Sequence, residues 1–95
     1  MLLGKIAGTV VSSVRADGFE GVRYLLVDKA TPDGNTRGDY LVALDLIGAN
    51  QGELVMIAES TSARETPFTV NKPVDALIVG IIDLIDVNEK VTYRK

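Results

Sequence analysis

The 95-residue sequence contains no cysteine, no histidine and no tryptophan. Without cysteine, the chain can build neither a disulfide framework nor a thiolate metal site. Without histidine, it lacks the commonest general base and metal ligand, and no imidazole is available to activate its serines. The sequence therefore predicts no catalytic residue, no metal site and no cofactor, and we expect a protein that is not an enzyme.

A basic segment is also missing. Ten lysines and arginines are outnumbered by thirteen aspartates and glutamates, which gives a formal net charge of −3. Proteins that bind nucleic acid through its phosphates need clustered positive charge, so this balance disfavours such a role. The start of the chain lacks the pattern of a signal peptide, and no apolar run reaches membrane-spanning length. We expect a cytoplasmic protein that binds neither nucleic acid nor membrane.

What the sequence does have is the composition of a small globular protein. Apolar residues make up 46% of the chain and charged residues 24%. Residues 1–95 are therefore expected to form a single domain. A chain of this length buries only a modest core, so association with further copies of itself would add stability.

Short segments rich in β-branched residues, separated by turn signals, predict strands. The predicted strands are 5–14, 24–27, 39–45, 53–59 and 90–94, with a further strand in the long apolar segment 74–87. By its length that segment could be a helix, but Gly80 and its many β-branched residues favour a strand. Gly8, inside the first strand, predicts either a bend or a close backbone neighbour.

Turn signals complete the secondary-structure prediction. Residues 31–35 predict a hairpin turn in which Gly34 or Asn35 takes the left-handed conformation, and residues 88–89 predict another turn. Residues 60–65 can hold one helical turn. Several short strands must close their sheet or cover its edges. The predicted fold is all-β, a small closed Greek-key, OB-like barrel of five to six strands with at most one short helix.

Polar residues next to the apolar runs raise two chemical possibilities. Carboxylates at Asp45, Asp75, Asp83 and Asp86 could form an acid–base pair, but we favour strand-end carboxylates bonded to turn amides or basic partners. The loop at 48–52 could bind an anion, but it lacks the lysine and hydroxyl of a phosphate-binding loop, and a crowded turn is favoured. An OB-like barrel could also bind single-stranded nucleic acid or a small ligand. Stacking aromatics are sparse at 5% of residues, which disfavours the nucleic-acid alternative.

Four segments, taken together, resemble a known family. They are Gly-Lys-Ile-Ala-Gly-Thr-Val-Val at 4–11, Asp-Leu-Ile-Gly-Ala-Asn-Gln-Gly-Glu at 45–53, Ser-Thr-Ser-Ala-Arg at 60–64, and the stretch from Pro-Val-Asp-Ala to Gly-Ile-Ile-Asp at 73–83. In order and spacing they resemble the EutN/CcmL family, the vertex proteins of bacterial microcompartment and carboxysome shells. Asn50 departs from the pattern because the family usually has a glycine there. Asparagine tolerates a left-handed φ, so the turn is expected to survive.

The resemblance implies a function that is geometric rather than chemical. It implies a cyclic homopentamer that caps the five-fold vertices of a polyhedral shell, together with hexameric and trimeric shell proteins, in the cytoplasm. Residues expected near the five-fold axis are Gly48, Ala49, Asn50, Gln51 and Gly52. Residues expected at the subunit interface are Ser60, Ser62 and Arg64, since arginine suits planar salt bridges between subunits.

Overall fold

The computed structural model describes residues 1–11, 22–59 and 76–95, and these parts of the chain contain strands and no helix. The strands are β1 (Leu2–Val10), β2 (Arg23–Ala30), β3 (Thr36–Asp45), β4 (Leu54–Glu59), β5 (Ala76–Ile81), β6 (Leu84–Val87) and β7 (Lys90–Arg94). The prediction of an all-β fold is confirmed. The candidate helical turn at 60–65 and the predicted loop at 15–21 lie outside the described residues.

The first five strands form a closed barrel in the order β1-β2-β3-β5-β4. Strand β4 lies beside β1, so four consecutive strands have the Greek-key order 4-1-2-3. Strand β5 closes the barrel by pairing antiparallel with β4 and parallel with β3. The predicted closed Greek-key barrel is therefore confirmed.

The segment 74–87, predicted as one strand, is instead divided between two sheets. Its first part is β5 in the barrel, and its last part is β6, which pairs only with β7 in a two-stranded sheet. The division falls at Ile82 and Asp83, where the Ile82 N–H donates to the Leu54 carbonyl at 2.8 Å and the Asp83 carbonyl accepts from the Lys95 N–H at 2.9 Å. Apolar residues fill both halves, so periodicity gives no sign of the change of sheet.

The two glycines of β1 have different structural roles. The bend predicted at Gly8 is present, because the register with β2 shifts between Ile6 and Gly8, as in a β-bulge. The close approach occurs at Gly4, where a Cβ would overlap Val27 Cγ1 and lie 3.1 Å from Ile57 Cδ1. A Cβ at Gly8 would meet nothing within 4 Å.

The apolar residues form one main core and two smaller clusters. The main core fills the barrel and consists of Ile6, Leu25, Val27, Ala43, Ala49, Val55, Ile57, Ala76 and Ile78. A second cluster joins Ile85 and Tyr93 of the β6–β7 hairpin to Leu54 and Ala30 of the barrel strands. The third cluster contains Leu44 and Leu77. The hairpin thus packs against the barrel through its own small core.

The turn between β2 and β3 gives the β6–β7 hairpin a second contact with the barrel. Gly34 has a φ of 84°, as the turn prediction requires, and its N–H donates to the Thr31 carbonyl at 2.9 Å. A Cβ at Gly34 would lie 2.7 Å from Cδ1 of Tyr93, so the aromatic ring occupies the space that the glycine leaves. Thr92 Oγ1 donates to the Pro32 carbonyl at 2.6 Å. The turn and the C-terminal hairpin are therefore packed together.

Replacing Glu89 by glycine is expected to stabilise the protein. Asn88 and Glu89 have φ values of 51° and 68°, so both central residues of the β6–β7 turn are left-handed. That conformation costs an L-residue roughly 1–2 kcal/mol, which glycine avoids. Glycine also makes the unfolded chain more flexible, which lowers stability by about 0.4–1 kcal/mol and offsets part of the gain. The expected net gain is about 0.5–1 kcal/mol, measured by urea denaturation at fixed protein concentration. Asn88→Gly, which replaces a residue tolerant of this conformation, should gain less, and no gain for Glu89→Gly would contradict the account.

Candidate functional site

The loop at 46–53 joins β3 to β4 and begins at a buried carboxylate. Asp45 is the last residue of β3 and is 5% exposed. Its carboxylate oxygens accept hydrogen bonds from the backbone N–H groups of Ile47, Gly48 and Ala49, each at 3.1 Å for the shorter contact. Three donors converging on one side chain fix the first half of the loop.

Arg23 supplies the positive charge that a buried carboxylate requires. It is the cross-strand partner of Asp45, and its Nη1 lies 3.3 Å from Asp45 Oδ2. Its Nη2 donates to the Ala49 carbonyl at 3.3 Å. A buried charge persists only when it is paired and hydrogen-bonded. For Asp45, the prediction of a strand-end carboxylate bonded to turn amides and a basic partner is confirmed.

The side chain of Ala49 points into the barrel. Ala49 is 0% exposed and belongs to the main core. Gly48, Asn50, Gln51 and Gly52 are exposed. Of the five residues predicted near a five-fold axis, Ala49 thus anchors the loop from inside, and the other four are exposed.

Gly48 and Gly52 of the loop have left-handed backbone, and Asn50 does not. Gly48 and Gly52 have φ values of 80° and 86°. Asn50 is outside the left-handed region, so the explanation that asparagine is tolerated there because it accepts a positive φ is wrong. Asn50 instead donates its backbone N–H to Glu53 Oε1 at 2.6 Å and accepts from the Glu53 N–H at 3.1 Å. A residue with a β-carbon therefore fits at position 50 without the strain of a left-handed backbone.

The second half of the loop is bonded to β1. The Gly52 N–H donates to the Ile6 carbonyl at 2.9 Å, and the Ile6 N–H donates to the Glu53 carbonyl at 3.0 Å. These bonds lie next to the β1–β4 pairing, which begins at Lys5 and Leu54. The loop is therefore fixed at both ends, by a buried carboxylate at one and by the barrel ladder at the other.

Lys95 connects the C-terminal hairpin to the same loop. Its Nζ lies 2.7 Å from Glu53 Oε2. This hydrogen bond, followed by that from the Asn50 N–H, lowers the pKa of Glu53, and the bond to Glu53 raises the pKa of Lys95. The contact is weakened only when the pH falls through the lowered pKa of Glu53 or rises through the raised pKa of Lys95. Both groups are therefore charged throughout the neutral range. The sequence offered no signal for this contact.

The described residues contain no group of three or more potential metal ligands, and they include no helix long and apolar enough to cross a membrane. Three of the predicted residues, Ser60, Ser62 and Arg64, lie outside the described part of the chain, as does Asp75. The place of Ser60, Ser62 and Arg64 at a subunit interface stays a prediction. The site that the structure does define is the fixed loop at 46–53.

Known proteins match this chain along its whole length. A family model described as "Ethanolamine utilisation protein EutN/carboxysome" matches residues 1–83. The carboxysome shell vertex protein CcmL of Gloeobacter violaceus is 36% identical over 95 residues, which are 100% of this chain and 95% of the relative. The microcompartment shell vertex protein EutN of Escherichia coli K12 is 35% identical over 95 residues and 100% of both chains.

Solved structures have the same fold. The structure of Gloeobacter violaceus CcmL superimposes with a TM-score of 0.94 and 36% identity, covering 100% of this chain and 98% of that one. A pentameric microcompartment shell protein, GrpN of Rhodospirillum rubrum, gives a TM-score of 0.83 and 34% identity over 92% and 99% of the two chains. Likeness at this level extends through the barrel, the loop and the C-terminal hairpin.

Proposed function

We propose that this chain, which belongs to the EutN/CcmL family, is a structural shell protein that closes the vertices of a bacterial microcompartment. The observation that carries the proposal is the match to shell vertex proteins along 100% of the chain, with a TM-score of 0.94 to one of them. The comparisons give no support to the alternative of nucleic-acid binding.

The proposed mechanism is geometric. Five copies form a ring through head-to-tail interfaces, which close when the rotation between neighbouring copies fits the number of subunits. A five-fold ring inserted among hexameric shell proteins turns a flat sheet into a curved, closed one. The ring performs this function without chemistry, in agreement with relatives named as shell vertex proteins.

Two properties of the described residues support a ring built from rigid protomers. Barrel closure and the fixed loop give each copy a defined shape. Large apolar side chains are also exposed, as is typical of protein interfaces. They include Tyr40, Val42, Leu46, Ile47, Met56, Val79, Leu84, Val87 and Val91.

The exposed residues of the loop, Gly48, Asn50, Gln51 and Gly52, are proposed to lie near the five-fold axis. Gly48→Trp is expected to prevent ring formation or shell closure, because the backbone there leaves open space that the indole would extend into. Native mass spectrometry and electron microscopy measure both. Gly48→Ala imposes the same left-handed strain without the bulk and should keep the ring. Normal assembly of the tryptophan variant would place the loop away from the axis.

Arg64 is proposed to contribute to the subunit interface with Ser60 and Ser62. Arg64→Ala is expected to raise the dissociation constant of the ring roughly 5- to 30-fold while lowering protomer stability little, since truncating an interface arginine costs about 1–2 kcal/mol. Arg94→Ala, at an exposed arginine of β7, is the matched control. An intact ring of Arg64→Ala at low micromolar concentration would contradict the interface role.

Co-expression with a hexameric shell protein tests the vertex function. With this chain present, electron microscopy should show closed polyhedral shells. Without it, the hexamers should form sheets, tubes or shells with open corners. Equal closure in the two preparations would overturn the proposed function.

A further inference from the structure

The barrel wall made by β1, β2 and β3 is apolar on its outer as well as its inner face. Cross-strand partners share a face, and one row of partners runs from Gly8 through Leu26 to Val42. The residues that alternate with this row along the strands, such as Leu25 and Ala43, are buried in the main core. The row from Gly8 to Val42 therefore lies outside the barrel. A second outer row runs Val10, Tyr24, Leu44.

The described chain leaves part of this outer surface open to solvent. Val42 is 48% exposed and Tyr40, two residues earlier on the same face of β3, is 54% exposed. Leu26 is half-buried, and a Cβ on Gly8 would meet nothing within 4 Å. A barrel wall with one solvated face is expected to alternate apolar and polar residues, whereas continuous apolar runs are typical of sheets covered on both faces. We call Gly8, Leu26, Tyr40 and Val42 the outer apolar face.

The next outer row holds two charged residues, Lys5 and Asp28, and the carboxylate of Asp28 is hydrogen-bonded within the chain. Asp28 is the cross-strand partner of Tyr40 but is only 8% exposed. Its Oδ1 accepts from the N–H groups of Gly38 and Asp39 at 2.9 and 3.2 Å. An apolar surface can therefore cover this face without leaving the carboxylate unpaired.

Cover of this face by the described residues stops partway along β3. Leu44, two residues beyond Val42 on the same face, is 1% exposed and packs with Leu77 of β5. The next positions back along the strand, Val42 and Tyr40, are about half exposed. The outer apolar face thus continues a buried cluster across the protein surface, and a second molecule placed there would extend an existing core.

We propose that the outer apolar face receives the neighbouring copy of this chain in the ring. This inference rests on the proposed function, which supplies the second copy. A head-to-tail ring requires each subunit to present one surface to a different surface of the next, so a single apolar face on one side of the barrel is sufficient. An aromatic residue among aliphatic ones, as in Tyr40 beside Leu26 and Val42, is typical of the centre of homo-oligomer interfaces. Gly8 adds a gap between β1 and Leu26 that a side chain of the neighbour can fill.

The absence of cysteine allows a direct test, because a Val42→Cys variant carries a single thiol. Its native mass and its rate of reaction with a maleimide are measured on the same sample, and the labelling rate is compared with that of the variant unfolded in urea. In the ring, we expect the folded protein to react at least about tenfold more slowly than the unfolded one, since buried thiols are unreactive.

A second pair of variants tests the same face by placing a charged or an uncharged polar side chain at Val42. Val42→Asp should lose the ring and give a monomer that keeps its β-sheet circular dichroism. Val42→Thr, which is similar in shape and uncharged, should keep the ring. A ring that tolerates aspartate at this position would overturn the inference.

The outcomes separate this inference from the proposed function. A ring mass with a slowly reacting Val42→Cys thiol supports both. A ring mass with a rapidly reacting thiol overturns the inference and leaves the ring in place. A monomer with a rapidly reacting thiol overturns both, and a monomer with a slowly reacting thiol shows that the chain's own residues cover the face, which also overturns the inference.

Discussion

Replacing Asp45 by alanine is expected to destabilise the protein by about 1.5–3 kcal/mol, the range for hydrogen bonds to a charged acceptor, since its ion-pair partner Arg23 is half exposed. The change removes the acceptor of three loop N–H groups and the carboxylate that pairs with Arg23. Asp45→Asn keeps the shape of the side chain but not its charge, and it should lose less stability than Asp45→Ala. Urea denaturation at fixed protein concentration, followed by circular dichroism, measures the difference.

Asp39→Ala is the matched control for Asp45→Ala. Asp39 also lies on β3 and pairs with a basic residue, Lys29, but at 3.6 Å and with 62% of its side chain exposed. Exposed ion pairs of this kind contribute roughly 0.2–1 kcal/mol. The account therefore predicts a clear separation between the two variants. Equal stabilities would mean that the carboxylate of Asp45 does not hold the loop.

Replacing Gly4 by alanine is expected to cost about 1–3 kcal/mol, the range for inserting a methyl group into a filled core. A methyl at this position would overlap Val27 Cγ1, and both residues lie inside the barrel wall. Gly8→Ala, in the same strand, adds the same methyl where the protomer has no neighbour within 4 Å. With both variants made in the monomeric Val42→Asp background, Gly8→Ala should change stability by no more than about 0.5 kcal/mol. Urea denaturation of the two variants provides the comparison.

A double variant tests the cause of the Gly4 effect. Val27→Ala removes the methyl groups that a new Cβ at Gly4 would overlap. Gly4→Ala with Val27→Ala should therefore be less destabilised than the sum of the two single variants, by at least about 0.5 kcal/mol. Additive effects would show that the cost of Gly4→Ala arises elsewhere than at this contact.

The barrel itself could be predicted from the sequence because its signals are local. β-Branched residues mark the strands, and the turns at 31–35 and 88–89 carry residues suited to left-handed backbone, as Gly34 and Asn88 show. Short strands that must hide their edges leave a closed barrel as the natural solution. These features required no knowledge of contacts between distant residues.

Features that depend on distant contacts could not be predicted. The division of 74–87 into two strands depends on hydrogen bonds from Ile82 to Leu54 and from Lys95 to Asp83. A glycine's role depends on what lies across the sheet, so Gly4 and Gly8 cannot be distinguished from their sequence. The inward orientation of Ala49 and the bond between Lys95 and Glu53 also depend on contacts between residues that are distant in the sequence.

The candidate loop shows the same division between local and distant information. The positive φ of Gly48 and Gly52 and the capping role of Asp45 follow from residue types within a few positions of one another. The conformation of Asn50 depends instead on how Glu53 folds back onto its N–H. A family pattern that usually has glycine at this position therefore suggested a backbone constraint that this chain does not have.

The native mass of the purified protein tests the central claim most directly. Native mass spectrometry or light scattering on a sizing column, at low micromolar concentration and neutral pH, measures it. The account predicts a mass of five chains of 10.2 kDa each. A monomer that persists at high concentration would contradict the vertex function.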